Sequence, residues 1–516
     1  MSDHATQIDT GPRSTRHAPI EMDAPTFRAI GHRLVDQLAE FLESMPQRPV
    51  TRNESPSAVR AALDLNRALP EQGTAAGPLI ENAATLLFDH SLFNQHPRFF
   101  GYITAPPAPI GILGEFLAAA VNANIGAFLL APAATEIESQ TIRWIAQLIG
   151  FPAGCGGIIV SGGNMANMVC LWAARVAKAD WNIRELGASD PSARRLRVYG
   201  SAETHTWIQK AADLSGLGTS SIRWIPTDAS LRMDVDALRR AIDADRAAGD
   251  LPFMVIGTGG SVGTGAVDPL PTLAAICEDQ DLWFHVDGAY GGFAAASSEA
   301  PPDLLALRDA DSVAIDPHKW LYAPLEAGCA LVRDSERLRA AFAYRPPYYR
   351  LEERATNYID YGPQNSRGFR ALKVWLGLQH VGAAGYRDMI TEDIRLSRAL
   401  SDAVRRTPEL EAVTQDLSIT TFRYVPAHLR ARLGEPDIEE KLDAINRELL
   451  DRLQRGGEVF VSNAVVRGRY LLRACIVNFR TTLADVTAVP EIVIRVGRAV
   501  VSDIEGSHKN SSHKNT

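Results

Sequence analysis

The chain has 516 residues, 46% of them hydrophobic, and a formal net charge of −8 at pH 7. This length is enough for a large core and predicts two or three domains, and the acidic balance gives no broad attraction to nucleic acid or anionic lipid. No stretch reaches the roughly 18 apolar residues of a membrane span, and Met1 to His17 contains no apolar signal segment. We therefore expect a soluble, cytoplasmic protein that binds neither nucleic acid nor membrane.

The cysteines are scattered, contain no CxxC pair, and mostly lie in apolar runs. This pattern is typical of buried thiols in a reducing compartment and predicts no metal site. The five residues are Cys155, Cys170, Cys277, Cys329 and Cys475.

The N-terminal part predicts a tail and then helices. Residues 1–20 lack apolar periodicity, as do residues 507–516, so both ends are predicted to be disordered. From Phe27 to Leu42 apolar residues recur at helical spacing, and Pro46 ends the pattern. This predicts an amphipathic helix with one face to bury, within an N-terminal helical segment spanning residues 21–110.

Residues 111–385 predict a large α/β domain, because short apolar runs alternate with helical stretches. Fully apolar strands of this kind are typical of a mainly parallel sheet covered on both faces, which binds ligands at the carboxyl ends of its strands. Residues 386–506 predict a small α+β domain. The strands predicted in the large domain are 157–160, 196–199, 253–257, 282–286 and 312–315, and those in the small domain are 417–424, 459–461 and 470–477, with helices at 437–454 and from 486.

The first strand of the large domain is followed by a glycine turn and a helix that include Gly163 and Asn164. Free N–H groups at a helix start, together with the helix dipole, can bind a phosphate dianion, although a simple turn is the plainer interpretation. His205 follows the next strand and could stack on an aromatic cofactor or transfer protons. Thr258 ends a third strand and could place a hydroxyl nearby. A surface histidine and an ordinary turn are the alternatives.

Two further strand ends carry charged groups. Asp287 follows the strand 282–286, and a carboxylate there could keep a pyridine nitrogen protonated, while Gly288 and Ala289 leave room for a flat ring. The strand 312–315 runs into His318 and Lys319, where desolvation favours an uncharged amine that attacks aldehydes. A turn-forming aspartate and a solvated lysine are the alternatives.

Four motifs together resemble those of the group II pyridoxal-5′-phosphate (PLP) decarboxylases, which include aromatic-L-amino-acid, histidine and glutamate decarboxylases. The segment 316–320, Asp-Pro-His-Lys-Trp, is similar to the family's Asn-Pro-His-Lys-Trp motif around the cofactor lysine, and it departs from that motif at Asp316. Asn164 is a second departure, since many members have serine or alanine there. The other similar segments are 285–290, 96–102 and 367–375.

The resemblance implies PLP fold type I, the aspartate aminotransferase-like α/β fold, in a homodimer whose N-terminal helices wrap the partner. It implies that Lys319 carries PLP as a Schiff base, that Asp287 meets the pyridinium nitrogen, and that His205 stacks on the ring. It also implies that Ala289 lines the opposite ring face with Thr258 nearby. Gly163, Asn164 and His318 would meet the phosphate.

The segment 342–368 is rich in tyrosine, arginine and proline and lacks strong apolar periodicity, so we expect it to form a lid, and the resemblance implies that it carries the proton donor. Tyr361 lies where decarboxylases of the family keep a loop tyrosine and related aldehyde synthases carry phenylalanine. Tyr358 is a rival for this role, and a tyrosine that only packs the lid is a third possibility. Arg370 could bind the substrate carboxylate, or form a surface ion pair instead.

The predicted function is PLP-dependent decarboxylation of a small-molecule L-amino acid, with an aromatic one favoured. Tyr102 and Phe128 offer aromatic surface for such a side chain, unless they only pack in the core or a dimer interface. An acidic substrate would need further cations such as Arg98 or Arg345. Alternatives are a glutamate, aspartate or diaminobutyrate decarboxylase, an aldehyde synthase, an aminotransferase that uses Arg480, and a scaffold without catalysis.

Overall fold

A computed structural model describes residues 18–346, 352 and 354–512, with side chains described up to residue 506. The predicted tail residues 1–17 and 513–516, and the predicted lid residues 347–351 and 353, lie outside the described residues. The chain forms two compact units. The first comprises residues 18–48 and 54–91, and the second comprises residues 49–53 and the chain from residue 92 onward.

The first unit is helical, as predicted. The Asp23 side chain accepts the Thr26 N–H at 2.8 Å and so caps the first helix, which carries the predicted apolar face. Phe41 on this face stacks on Phe88 at 4.3 Å, whereas Phe27 is 55% exposed and Val35 is 45% exposed, so the apolar face is only partly covered. The helices are α1 (Ala24–Ser44), α2 (Pro56–Ala62) and α3 (Ala76–Asp89).

The second unit is built on a seven-stranded sheet. Its strands are β1 (Gly156–Val160), β2 (Leu196–Ser201), β3 (Ile222–Ile225), β4 (Leu251–Thr258), β5 (Trp283–Asp287), β6 (Ser312–Ile315) and β7 (Gly328–Val332). The strand order is β1-β7-β6-β5-β4-β2-β3, and only β7 runs antiparallel to its neighbours. The five predicted strands are present, and β3 and β7 were not predicted. The sheet confirms the predicted α/β class.

Helices cover both faces of this sheet, since every residue of β1, β2, β5, β6 and β7 is buried. The last of these helices is broken at Gly382 (φ 70°, ψ 166°), three residues before the predicted end of the large domain. The helices are α4 (Pro109–Val121), α5 (Pro132–Ile149), α6 (Gly163–Lys178), α7 (Ile183–Leu186), α8 (Trp207–Leu214), α9 (Val235–Ala247), α10 (Leu270–Asp279), α11 (Ser335–Phe342) and α12 (Ala371–Arg405).

The C-terminal part has its own four-stranded antiparallel sheet, in the order β10-β11-β9-β8. Its elements are β8 (Leu410–Asp416), β9 (Ile419–Tyr424), α13 (Pro436–Gly456), β10 (Ser462–Val466), β11 (Arg469–Cys475) and α14 (Leu483–Ser512). The predicted strand at 459–461 is not formed: β10 begins at Ser462, and Phe460 forms only an isolated bridge with Phe99. The closing helix continues to Ser512, past the predicted start of the tail at 507.

The first unit ends earlier than the predicted boundary at residue 110. The segment after Ser91 is bonded into the second unit, where the Phe100 N–H donates to the Phe460 carbonyl at 2.7 Å and Thr481 Oγ1 donates to the Pro97 carbonyl at 2.7 Å. The sequence of this segment alone cannot reveal these contacts with residues far along the chain. None of the helices in the described part of the chain has the length and hydropathy of a membrane-spanning segment.

Candidate active site

The carboxyl ends of β1, β2, β4, β5 and β6 open onto a cavity of about 700 Å³ in the second unit. This is the sheet edge at which the sequence predicts the chemistry. All residues predicted for cofactor binding line this cavity, namely Gly163, Asn164, His205, Thr258, Asp287, Ala289, His318 and Lys319. The structure therefore brings together groups that are spread over more than 150 residues of sequence.

Lys319 follows β6 in a turn closed by its own N–H, which donates to the Asp316 carbonyl at 2.9 Å. Its Nζ lies 2.9 Å from Asp316 Oδ2. Asp316 is 2% exposed, and its Oδ1 is buried with no hydrogen-bond partner in the described part of the chain. The amine is thus held at the cavity wall by a carboxylate from its own turn.

His318 braces the same turn. Its Nδ1–H donates to the Ala327 carbonyl at 2.6 Å, and its Nε2 lies 3.6 Å from Asp316 Oδ2. Burial lowers the pKa of His318, against the opposing effect of Asp316. The ring is therefore neutral at pH 7 and ties the end of the turn to the residue before β7.

Asp287, the last residue of β5, has a hydrogen-bond donor on each carboxylate oxygen. Trp207 Nε1 donates to Oδ2 at 2.7 Å, and the Ala289 N–H donates to Oδ1 at 3.1 Å. Behind it, His285 donates from Nε2 to Asn167 Oδ1 at 2.7 Å and accepts at Nδ1 from Ser312 at 2.8 Å. Burial lowers the pKa of His285 to about 4, so that ring is uncharged at neutral pH.

The glycine turn before α6 is too tightly packed for larger residues. Gly162 has φ 117°, and a Cβ placed on Gly163 would lie 2.7 Å from Asp316 Oδ2. A Cβ on Gly328, the first residue of β7, would collide with the backbone of Gly162. The turn therefore leaves the N-terminus of α6 uncovered at the cavity, where its N–H groups and dipole suit a phosphate dianion.

His205 and Thr258 lie on two other strand ends at the cavity. The His205 Nδ1 accepts the Trp207 backbone N–H at 3.2 Å, and burial lowers the pKa of His205. The Thr258 N–H donates to Asp268 Oδ2 at 2.8 Å. Burial raises the pKa of Asp268 to about 6. Both positions are thus fixed by hydrogen bonds to neighbouring elements.

Arg473, on β11, is a cavity residue that the sequence interpretation missed. It is 2% exposed, and its Nη1 donates to the Tyr102 carbonyl at 3.0 Å and to Ser462 Oγ at 3.1 Å. Its Nε and Nη2 are buried and have no hydrogen-bond partner among the described residues. An arginine inside an otherwise apolar strand was the available signal, because such a residue needs a buried acceptor.

The predicted substrate residues are only partly brought together. Tyr102 lines the cavity, whereas Phe128 and Arg370 do not. The Phe128 N–H donates to Asn357 Oδ1 at 3.2 Å, in a short 3-10 turn outside the cavity. Arg370 donates from Nε to Glu326 Oε1 at 2.9 Å, which is the ion pair named as the alternative, and its Nη1 is buried with no hydrogen-bond partner among the described residues.

Neither candidate lid tyrosine lines the cavity within this chain. Tyr358 is buried, its hydroxyl lies 3.0 Å from Ser139 Oγ, and Arg367 lies over its ring. Tyr361 is half-buried and meets the Tyr358 ring edge-on at 5.8 Å, and burial raises its pKa. Tyr358 thus has a packing role and a hydrogen-bonded hydroxyl. The Tyr361 hydroxyl forms no hydrogen bond with the described residues.

The remaining arginine candidates also lie outside the cavity lining. Arg98 pairs with Asp485 at 3.1 Å, Arg345 pairs with Asp360 at 2.6 Å, and Arg480 lies over the Phe479 ring. Among the described residues, Lys319 and Arg473 are the only lysine or arginine side chains in the lining. The described lining thus supplies one amine and one guanidinium.

The cavity carries a donor set that fits PLP. The Lys319 amine suits the aldehyde of PLP, and the Asp287 carboxylate, which accepts from neutral donors, suits the ring nitrogen. The N-terminus of α6 suits the phosphate. The buried Asp316 Oδ1 and the free Arg473 donors leave unmet hydrogen-bonding capacity at the same place.

Comparisons with known proteins agree with this chemistry. A sequence profile described as the pyridoxal-dependent decarboxylase conserved domain matches residues 56–425. An aromatic-L-amino-acid decarboxylase of Bacillus atrophaeus is 32% identical over 471 residues, which cover 90% of this chain and 94% of that protein. A phenylacetaldehyde synthase of Petunia hybrida is 31% identical over 464 residues, covering 88% of this chain and 90% of the synthase.

Solved structures are similar over nearly the whole chain. Oryza sativa TDC with PLP and tryptamine has a TM-score of 0.85 at 29% identity and covers 94% of this chain and 99% of that one. Mouse CSAD has a TM-score of 0.86 at 26% identity and covers 92% of this chain and 99% of its own.

Proposed function

The chain belongs to the pyridoxal-dependent decarboxylase family, and we propose that it releases carbon dioxide from an aromatic L-amino acid. It is a PLP-dependent carboxy-lyase of PLP fold type I, as the sequence motifs predicted. The aromatic preference is supported by relatives named aromatic-L-amino-acid, tyrosine and tryptophan decarboxylases. The main structural support for this proposal is that Lys319, Asp287 and the start of α6 all line one cavity.

We infer that Lys319 holds the cofactor, that Asp287 meets its ring nitrogen, and that the turn at Gly163 and Asn164 meets its phosphate. His205, Ala289, Thr258 and His318 keep the roles that the family resemblance implies. When bound, PLP supplies an electron sink for the bond that breaks at Cα of the substrate. The protein's own contribution is to hold that bond in the right direction and to exclude water.

Arg473 is our candidate for holding the substrate carboxylate. Its Nη1 is fixed by Tyr102 and Ser462, and its Nε and Nη2 remain free, so the guanidinium is already oriented for a carboxylate. This role replaces the one predicted for Arg370, whose Nε is engaged by Glu326. An orienting contact of this kind selects which bond to Cα breaks.

Tyr361 is our candidate for returning a proton to Cα. Tyr358 is tied to Ser139 and packed under Arg367, which disfavours it as a donor. A tyrosine at this position favours amine formation over the oxidative outcome of aldehyde synthases, as the resemblance implies. The aminotransferase alternative is disfavoured because Arg480 lies outside the cavity lining.

We also infer a homodimer. Helix α1 carries exposed Phe27 and Val35, and helix α4 carries exposed Leu113, Phe116 and Leu117. Apolar surface of this extent on two helices is typical of protein interfaces.

A cytoplasmic location is supported by the five free cysteines, because disulfides are rare in reducing compartments.

The decisive test is product analysis with the purified holoenzyme. Incubation with L-tyrosine, L-tryptophan, L-phenylalanine, dopa and L-glutamate should give carbon dioxide and amine in equal amounts from the aromatic substrates only. Aldehyde and peroxide are measured in the same reactions. The absence of carbon dioxide from every substrate would reject the proposal, and aldehyde with peroxide as the main products would replace it with aldehyde synthesis.

A further inference from the structure

We propose that Trp207 is a positioning residue for the cofactor: its indole N–H sets the orientation of the Asp287 carboxylate that faces the PLP ring nitrogen. This inference rests on the proposed role of Asp287. Trp207 is the first residue of α8 and lies outside the four motifs that carry the family resemblance.

The position of Trp207 lets it act on two cofactor contacts at once. Its side chain is fully buried, and its Nε1 donates to Asp287 Oδ2 at 2.7 Å. Its backbone N–H donates to His205 Nδ1 at 3.2 Å. One residue therefore holds both the carboxylate proposed for the ring nitrogen and the imidazole proposed for the ring face.

The electrostatic setting shows why a neutral donor matters here. Three other buried carboxylates of this chain are each paired with arginine: Asp245 with Arg223, Glu138 with Arg367, and Asp360 with Arg345. Asp287 instead accepts from an indole and a backbone amide, and no described lysine or arginine forms an ion pair with it. Neutral donors fix the carboxylate while leaving its negative charge available to a protonated ring nitrogen.

The titratable groups facing Asp287 from neighbouring elements do not alter this balance. His205 and His285 both have a pKa lowered by burial. Burial raises the pKa of the Cys170 thiol to about 12, and the Lys319 amine lies against Asp316. Both imidazoles and the thiol are thus neutral at pH 7, and the charge of Asp287 is left for the cofactor.

The indole is itself held in place. Its ring meets His285 edge-on at a centroid distance of 5.9 Å, and His285 is fixed at both nitrogens by Asn167 and Ser312. The orientation of Asp287 is therefore transmitted from α8 and the core, and does not depend on solvent.

The test compares Trp207→Phe with a matched control, Trp172→Phe. Trp172 also donates its indole N–H at 2.7 Å, to Ser215 Oγ, but it lies outside the cavity lining. The dissociation constants of PLP and of its analogue with C–H in place of the ring nitrogen are measured for each protein, together with the circular dichroism band of the bound cofactor. The analogue cannot pair with Asp287, so it isolates the ring-nitrogen contact.

We expect Trp207→Phe to weaken PLP binding about tenfold or more, the usual size of a lost hydrogen bond to a charged group, and to reduce the dichroism band. The affinity for the analogue should change much less, and Trp172→Phe should leave both affinities unchanged. Trp207→His, which keeps a ring N–H, should recover part of the lost PLP affinity. If thermal unfolding shows that Trp207→Phe is not folded, Trp207→His alone is compared with the parent for both ligands.

Equal weakening of both ligands in the position 207 variants would show a merely structural role and overturn the inference. Unchanged affinity for PLP in Trp207→Phe would overturn it as well. A parent protein that binds no PLP would reject the proposed function itself, which is a separate and recognisable result.

Discussion

Asp393, on the second half of α12, accepts at Oδ2 a hydrogen bond of 2.9 Å from the indole N–H of Trp320, the residue that follows Lys319. The same oxygen accepts the Tyr322 hydroxyl at 2.7 Å. One buried carboxyl therefore joins the helix that leads into the small domain to the segment that presents the amine.

Asp393 should make the stability of the protein depend on pH. Burial raises its pKa from 3.8 to about 7, so between these values the unfolded chain releases the proton first and stability falls as pH rises. Below about pH 4 both states hold the proton and the effect is absent. Asp393→Asn removes this titrating group. In urea titrations, the unfolding free energy of the variant relative to that of the parent should therefore increase as the pH rises from 5 to 8. Asp388→Asn, at an exposed position of the same helix, should follow the parent. Parallel curves for Asp393→Asn and the parent would contradict the assignment.

Lys319→Ala should abolish covalent retention of PLP and all turnover, because no other lysine lines the cavity among the described residues. After borohydride reduction, peptide mass spectrometry should find the cofactor on Lys319 in the parent and on no peptide of the variant. Lys441→Ala, an exposed lysine on α13, is the control and should behave as the parent does. Label on another lysine of the parent would refute the assignment.

Asp287→Asn should lower turnover by about two orders of magnitude or more, since removing one partner of a buried ion pair costs about 3–5 kcal/mol. The amide is nearly the same size as the carboxylate, so the fold should be kept. Steady-state kinetics with saturating PLP measure the loss. Turnover within a factor of two of the parent would reject the role proposed for this carboxylate.

Arg473→Lys should raise KM for the amino acid about tenfold or more, because the lost guanidinium bonds to a carboxylate are charge-assisted. Inhibition by the amine product should hardly change, since the product lacks that carboxylate. Arg480→Lys, which alters an arginine outside the cavity lining, is the matched control. An equal loss of affinity for substrate and product would point to a general collapse of the cavity.

Tyr361→Phe should divert the reaction toward aldehyde, ammonia and peroxide in the presence of oxygen, because the proposed proton donor is lost. Tyr358→Phe should keep amine as the product and lower only the stability, by about 1 kcal/mol for the lost bond to Ser139. Amine and aldehyde yields measured side by side decide between them. If the Tyr358 variant alone makes aldehyde, the two assignments are exchanged.

The sequence predicted the fold class and the convergence of the candidate cofactor residues on one cavity, because both follow from local patterns. Short apolar strands end in Gly163, Asp287 and Lys319, and parallel strands bring such ends to one edge. The order of the strands is a tertiary property, so the antiparallel insertion of β7 between β1 and β6 had no local signal.

The supporting residues were harder to predict, since each depends on a distant partner. Arg473 meets the carbonyl of Tyr102 across 371 positions, and Trp207 meets Asp287 across 80. Arg370 carries a motif resemblance, but its neighbour Glu326 comes from another loop. Pairings of this kind become visible only when the chain is folded.

The tight packing of Gly328 against Gly162 has a practical consequence for protein engineering. The connection from Asp316 to Ala327 joins two buried strands and carries Lys319, so we expect an inserted tag or a changed length there to displace the amine. An insertion there would shift the Lys319 amine relative to the glycine turn before α6 and should abolish activity. The exposed hairpin at Arg467 and Gly468, between β10 and β11, is the better site for a label or an affinity handle.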